Sequence, residues 1–163
     1  MMNICYFKKT SVLLVLFLFN SVTWSQDSPN IILLIGDGMG LTQISAGMYA
    51  NGNSTALEGF EYIGLSKTSS SNNLVTDSAA SGTAMATGVK TLNGVLGISS
   101  KNVRQKSILE ICQDQGYKTA LIGTSSIVHA TPASFYAKED SRYNYQNIAL
   151  QLSKHSIDMF VGG

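Results

Sequence analysis

The stretch NIILLIGDGMGL, residues 30–41, constrains this chain more than any other. Ile31 to Ile35 is an unbroken apolar run, mostly β-branched, and it reads as a strand buried on both faces in a parallel sheet. It runs directly into three glycines, Gly36, Gly38 and Gly40. A strand entering a glycine-rich turn usually suggests a phosphate cradle. The spacing here is one residue short of the dinucleotide fingerprint, and Asp37 sits inside the turn. A carboxylate repels a pyrophosphate unless a cation lies between them. Asp37 therefore fits a metal ligand at the carboxyl end of a strand, where α/β sites form. The competing reading is an aspartate making a turn hydrogen bond in an ordinary βα loop.

The rest of the chain alternates between strand-like and helix-like segments. Residues 41–50 are helix-compatible, and Tyr62 to Lys67 is a candidate short strand. Thr83 to Val89 is rich in small residues and reads as a helix able to pack closely. Gly94 and Gly97 mark two turns. Ser107 to Gln115 carries apolar residues at helical spacing, with Gly116 as its stop. Lys118 to Gly123 and Ile157 to Val161 read as strands, with a helix over Tyr143 to Leu152 between them. This alternation predicts an α/β fold with a largely parallel sheet. The sequence ends at Gly163 directly after an apolar strand, which suggests an N-terminal portion of a larger domain.

Residues 1–25 have the layout of a secretory signal peptide: Lys8 and Lys9, the apolar run Ser11 to Phe19, then small residues up to Ser25. The apolar run is short for a bilayer span. The expectation is an exported protein, periplasmic or secreted, whose remaining domain is residues 26–163. Cys5 would leave with the leader, so Cys112 would stand alone and read as a small buried apolar residue. Charged residues are 13% of the chain and the net charge is +1, with no basic stripe, so no nucleic-acid-binding surface is evident.

A second stretch, LVTDSAASGTAMATGVKT, strengthens the metal reading of Asp37. Ser78 falls at or near a helix N-terminus, where free N–H groups and the macrodipole favour anions. A serine hydroxyl is a weak nucleophile until its ionisation is assisted, and a divalent cation can supply that assistance. Ser78 could equally be a plain N-cap. The nucleophile elbow of the hydrolases is absent, since Thr76 and Ala80 stand where it needs glycine. Neither His129 nor His155 is marked as the base of a triad.

Taken together, these motifs resemble the alkaline phosphatase family. VTDSAASGT, residues 75–83, resembles its nucleophile signature at every position, and GDGMG resembles its first metal-binding loop. HATPASFYA, residues 129–137, resembles the family segment with Asp or His followed by Ala-Thr-Pro. Arg142 follows His129 at the spacing of the family's phosphate-binding arginine. The resemblance runs from about Asn30 to Gly163. It implies a three-layer α/β/α sandwich with a largely parallel central sheet, of which the C-terminal part is missing here.

The resemblance also implies roles. Asp37 would bridge a zinc and a magnesium ion. Ser78 would coordinate that zinc and attack phosphorus, giving a phosphoserine that water hydrolyses. Asp77 would orient Arg142, whose guanidinium would hold two phosphoryl oxygens in a fork that lysine cannot imitate. The bland reading of Arg142 is a solvated charge beside Glu139 and Asp140. Thr131 would supply a hydroxyl to magnesium; otherwise it is an N-cap before Pro132. His129 stands where many bacterial members have aspartate, and it would ligate magnesium directly or act through water, unless it is a hydrogen-bonded loop histidine. His155 matches no family role and reads as a surface residue near a helix C-terminus.

The implied cofactors are two Zn²⁺ and one Mg²⁺, and the implied ligands are phosphate monoesters and inorganic phosphate. Homodimers are frequent in the family. Two histidines cannot complete two zinc sites, so the 163 residues are expected to be inactive alone. Two other readings remain at this point: a related metal-dependent phosphodiesterase or sulfatase, and a catalytically silent phosphate- or metal-binding protein.

Overall fold

A computed structural model of the chain describes residues 29–163. The leader and Cys5 lie outside them. Residues 29–35 belong to one unit, Met1–Ile35, and the rest forms a second, Gly36–Gly163. In the first unit, Ile31 to Ile35 is not a strand, and Ile31 to Leu34 are 55–84% exposed. The apolar pattern records a segment suited to burial on both faces. It does not supply the neighbouring strands that would form a ladder.

The second unit is α/β. It opens with α1, Leu41–Ala50, and a 3₁₀ turn, Ala56–Gly59, both without buried residues. The candidate strand over Tyr62 to Lys67 is irregular and exposed, again a β-compatible run with no ladder. Helix α2 is Ser78–Thr87, so Ser78 stands at its N-terminus as expected, and the small-residue run from Thr83 is its second half. Helix α3 follows at Ile108–Asp114, strand β1 at Ala120–Ile122, α4 at Ala130–Ala133, α5 at Tyr145–Leu152 and β2 at Met159–Val161. The two strands pair in parallel, Ala120 with Met159 and Ile122 with Val161, and α4 and α5 lie in the crossover. Asp158 fastens the start of this pair, since it accepts from the Thr119 N–H at 2.9 Å and from the Lys118 ammonium at 2.7 Å.

Local chemistry explains the helix boundaries. Asp77, in extended conformation, caps α2 by accepting the Ala80 N–H at 2.9 Å. Ser78 is therefore the first helical residue and not the cap. Ser107 and Glu110 form a reciprocal capping box at α3, and Gly116 follows that helix at positive φ. In α4 the cap position falls on His129, not Thr131, and Pro132 is the third helical residue. Proline still fits there, because the first N–H groups of a helix have no intrahelical partner.

The core contains Ala79, Leu96, Ala130, Ala133, Tyr136, Ala137, Ile148 and Leu152, so small residues carry much of it. A Cβ on Gly82 would meet Ser134 Oγ at 2.5 Å, and this bare backbone lets α2 lie close against the α4 segment. The segment between α2 and α3 is held on both sides. The Gly97 N–H donates to the buried Thr83 hydroxyl at 2.9 Å, and Leu96 exchanges backbone hydrogen bonds with Glu139 at 2.8 and 2.9 Å. Cys112 is half-buried on α3. His155 is also partly buried, with its ring edge-on to Tyr136 and 3.9 Å from Glu110 Oε1, and is not a free surface histidine. Among the described residues no helix is long and apolar enough to cross a membrane.

Candidate active site

The site is built from three chain segments. The first is the turn carrying Asp37. Met39 N–H donates to Gly36 O at 3.2 Å, so Asp37 and Gly38 occupy the middle of a four-residue turn. Gly38 has φ 67°, a conformation that glycine adopts without steric cost. This turn leaves both Asp37 carboxylate oxygens available.

The second segment is the N-terminus of α2, and the third is the start of α4. Ser78 Oγ donates to Asp37 Oδ1 at 3.0 Å. Thr131 Oγ1 donates to Asp37 Oδ2 at 2.7 Å. One carboxylate thus gathers two hydroxyls from distant parts of the sequence. That arrangement exceeds what a simple turn aspartate needs.

Asp77 lies beside this cluster and is saturated with donors. Its Oδ1 accepts the Ala80 N–H, and its Oδ2 accepts the Gly94 N–H and the Arg142 Nη1–H, both at 3.1 Å. Burial pushes its carboxyl up, but the two backbone N–H groups and the Arg142 guanidinium outweigh that and hold it below the usual aspartate value. The Arg142 side chain is only 13% exposed. It is therefore not the solvated charge that its acidic neighbours suggested. Its Nη2 lies 3.5 Å from His129 Nε2, which brings His129 to the edge of the same cluster. The six residues form two adjoining groups: Asp37 with Ser78 and Thr131, and Arg142 with Asp77 and His129.

One member was not legible as such. Asn93 Oδ1 accepts the Asp77 N–H at 3.2 Å, and its amide donates to Val75 O at 2.9 Å. In sequence it precedes Gly94 and reads only as half of a turn dipeptide.

The donor set decides which cations the residues suit. Asp37, Ser78 and Thr131 present oxygen only, the preference of hard cations such as magnesium. Zinc favours nitrogen and sulfur, usually from three or four protein ligands. Among the described residues no group of three or more His, Cys, Asp or Glu gathers around one point. The cluster fits magnesium by donor chemistry and offers zinc one carboxylate and one hydroxyl.

The family model for alkaline phosphatase matches residues 28–159. The chain belongs to the alkaline phosphatase family. It is 42% identical over 149 residues to alkaline phosphatase 4 of Bacillus subtilis, covering 82% of this chain and 32% of that protein. It is 40% identical over 126 residues to the alkaline phosphatase of Escherichia coli, covering 71% of this chain and 27% of that one. The alkaline phosphatase of the Antarctic bacterium TAB5 superposes with a TM-score of 0.79 at 46% identity, covering 82% of this chain and 39% of that structure. A variant of the TAB5 enzyme with a histidine replaced by aspartate has magnesium bound in its M3 site. The chain spans about a third of the length of the curated relatives it matches.

Proposed function

We propose that these residues supply the nucleophile and the phosphate clamp for metal-dependent hydrolysis of phosphate monoesters. The observation that carries this reading is the shared Asp37 carboxylate: it holds the Ser78 hydroxyl at 3.0 Å and the Thr131 hydroxyl at 2.7 Å, beside the Asp77–Arg142 pair.

The roles are those that the family resemblance implies, and the geometry supports them. Ser78 Oγ, at the first turn of α2, attacks phosphorus, the alcohol departs, and water later cleaves the phosphoserine. Asp37 fixes the direction of the Ser78 hydroxyl before attack. Arg142 presents a fork of five N–H donors, of which Asp77 engages one while His129 Nε2 stands 3.5 Å from Nη2, and it binds two phosphoryl oxygens with those that remain. Asp77 already accepts three N–H donors, so it orients Arg142 and is not placed to carry protons. The positive end of α2 adds to the stabilisation of phosphoryl charge. Where bound, divalent cations would be held by Asp37 with Ser78 and by Asp37 with Thr131, with His129 ligating directly or through water, and would supply Lewis-acid charge that eases serine ionisation.

Among the described residues the zinc donors are too few for a catalytic zinc centre. The purified 163-residue chain is therefore inactive and binds zinc weakly, and further ligands complete the two zinc positions. Zinc-dependent release of nitrophenol from 4-nitrophenyl phosphate by this chain overturns that statement. The covalent step is tested on the protein as its own cells make it, by acid quench during turnover and peptide mapping. Phosphate on Ser78 is expected. Turnover that persists in Ser78→Ala overturns the mechanism. Export by the N-terminal leader and self-association into a dimer complete the reading. They are tested by N-terminal sequencing of the cellular protein and by its sedimentation.

A further inference from the structure

The Asp77–Arg142 pair does not hold itself in place. Asn93 touches Asp77, and Gly94 touches both partners. Asn93 Oδ1 accepts the Asp77 backbone N–H at 3.2 Å, and Gly94 N–H donates to Asp77 Oδ2 at 3.1 Å. On the other side, Gly94 O accepts the Arg142 backbone N–H at 2.7 Å. The Asn93 amide is anchored by donating to Val75 O, and the Asn93 N–H donates to Asn72 Oδ1 at 3.1 Å. The Thr83–Gly97 and Leu96–Glu139 bonds clamp the same segment to α2 and to the chain leading into Arg142. Gly94 takes φ 85° in open space, so its glycine character answers to backbone direction and not to crowding.

We infer that the Asn93–Gly94 turn is a positioning element for oxyanion binding: Asn93 fixes the backbone at Asp77, Gly94 ties Asp77 to Arg142, and together they set the direction of the Arg142 guanidinium. This rests on the proposed role of Arg142 as the phosphate clamp. Asn93 touches no reacting atom and acts through Asp77. Removing its side chain leaves the Asp77 N–H without its acceptor and frees the cap residue to shift. The guanidinium then has no single orientation, and a bidentate grip on phosphate requires one.

The test uses the 163-residue chain and two independent readouts. The first is the ¹⁵N resonance pattern of the Arg142 guanidinium, together with hydrogen exchange at the Asp77, Gly94 and Arg142 amides. The second is titration with inorganic phosphate. In Asn93→Ala the three amides exchange faster, the guanidinium signals average, and phosphate affinity falls about tenfold, the size of one hydrogen bond to a charged group. Exchange at Leu109 and Ile148 stays unchanged. Asn93→Ser, which keeps a short acceptor, restores part of each effect and serves if the alanine variant fails to fold. Thr87→Ala, which loses a hydrogen bond at the far end of α2, controls for lost stability and leaves the guanidinium signals intact.

An unchanged Arg142 guanidinium pattern in both Asn93 variants overturns the inference, whatever phosphate does. If the parent chain binds no phosphate, the clamp reading fails for this chain. The guanidinium pattern still decides whether Asn93 positions Arg142.

Discussion

Asp77 and Arg142 stand 65 residues apart in sequence, and their side chains meet at 3.1 Å between the helix that starts with Ser78 and the chain that follows α4. The contact joins a helix cap to a largely buried guanidinium. Losing either partner strands the other.

Arg142→Lys keeps the charge and loses the planar fork. Affinity for inorganic phosphate is expected to fall by about 2 kcal/mol, the value of a charge-assisted hydrogen bond. Calorimetric titration of the two chains checks this. Equal affinities would sink the bidentate clamp.

Asp77→Ala removes the cap and the ion pair together. A loss of about 2 kcal/mol is expected, roughly half from the cap and the rest from the stranded Arg142. Urea unfolding of the variant against the parent measures it. A loss within about 0.5 kcal/mol, ordinary for a surface site, would show that the pair is slack in solution.

Asp37→Asn keeps the shape of the turn and removes its charge. Magnesium affinity should fall at least about tenfold, because hard cations favour carboxylate oxygen. Stability should stay within about 0.5 kcal/mol, since the Asp37 contacts are exposed. Manganese binding followed by electron paramagnetic resonance reads the affinity. Retained binding would place the cation elsewhere.

Glu110 predicts an acid limb in the stability curve. Burial pushes its carboxyl up, but Lys138 at 2.8 Å and the Ser107 N–H outweigh that and hold it below the usual value of 4.5. The unfolded chain binds the proton more tightly. The stabilisation is complete above about pH 4.5 and disappears as pH falls through the lower folded value. Glu110→Gln should flatten that limb and, at pH 7, cost about 2 kcal/mol because Lys138 stays buried without its partner. Thermal melts from pH 3 to pH 7 decide it. An unaltered acid limb would remove Glu110 from the explanation.

Gly82→Ala should destabilise by about 2 kcal/mol, the cost of overpacking, because its methyl meets Ser134 Oγ. The penalty should shrink when Ser134→Ala is added. Full additivity would mean that the two residues do not share the space.

Much of the candidate site was legible because its chemistry is local. Asp37 betrayed itself by standing in a glycine turn where a phosphate cradle has no use for a carboxylate. Ser78 betrayed itself by preceding a run of small residues that had to be helical. The family resemblance then selected Thr131, His129 and Arg142, and the structure brings Thr131 to Asp37 and His129 to Arg142. The errors have one physical origin. Ile31 to Ile35 and Tyr62 to Lys67 carry strand-like side chains, but a strand exists only through backbone partners, and periodicity does not name them. Pro132 suggested a helix opening at itself with Thr131 as cap, yet a proline is tolerated throughout the first turn, and here it is the third helical residue. Asn93 stayed hidden because an Asn-Gly pair advertises a turn, while its contact with Asp77 spans 16 residues of sequence.

The Asp77 carboxylate faces two ways. One oxygen begins α2, and the other steers Arg142. A lineage carrying this arrangement cannot drift toward a looser clamp by changing residue 77 without also weakening the helix that presents Ser78. A change at residue 77 is thereby penalised twice.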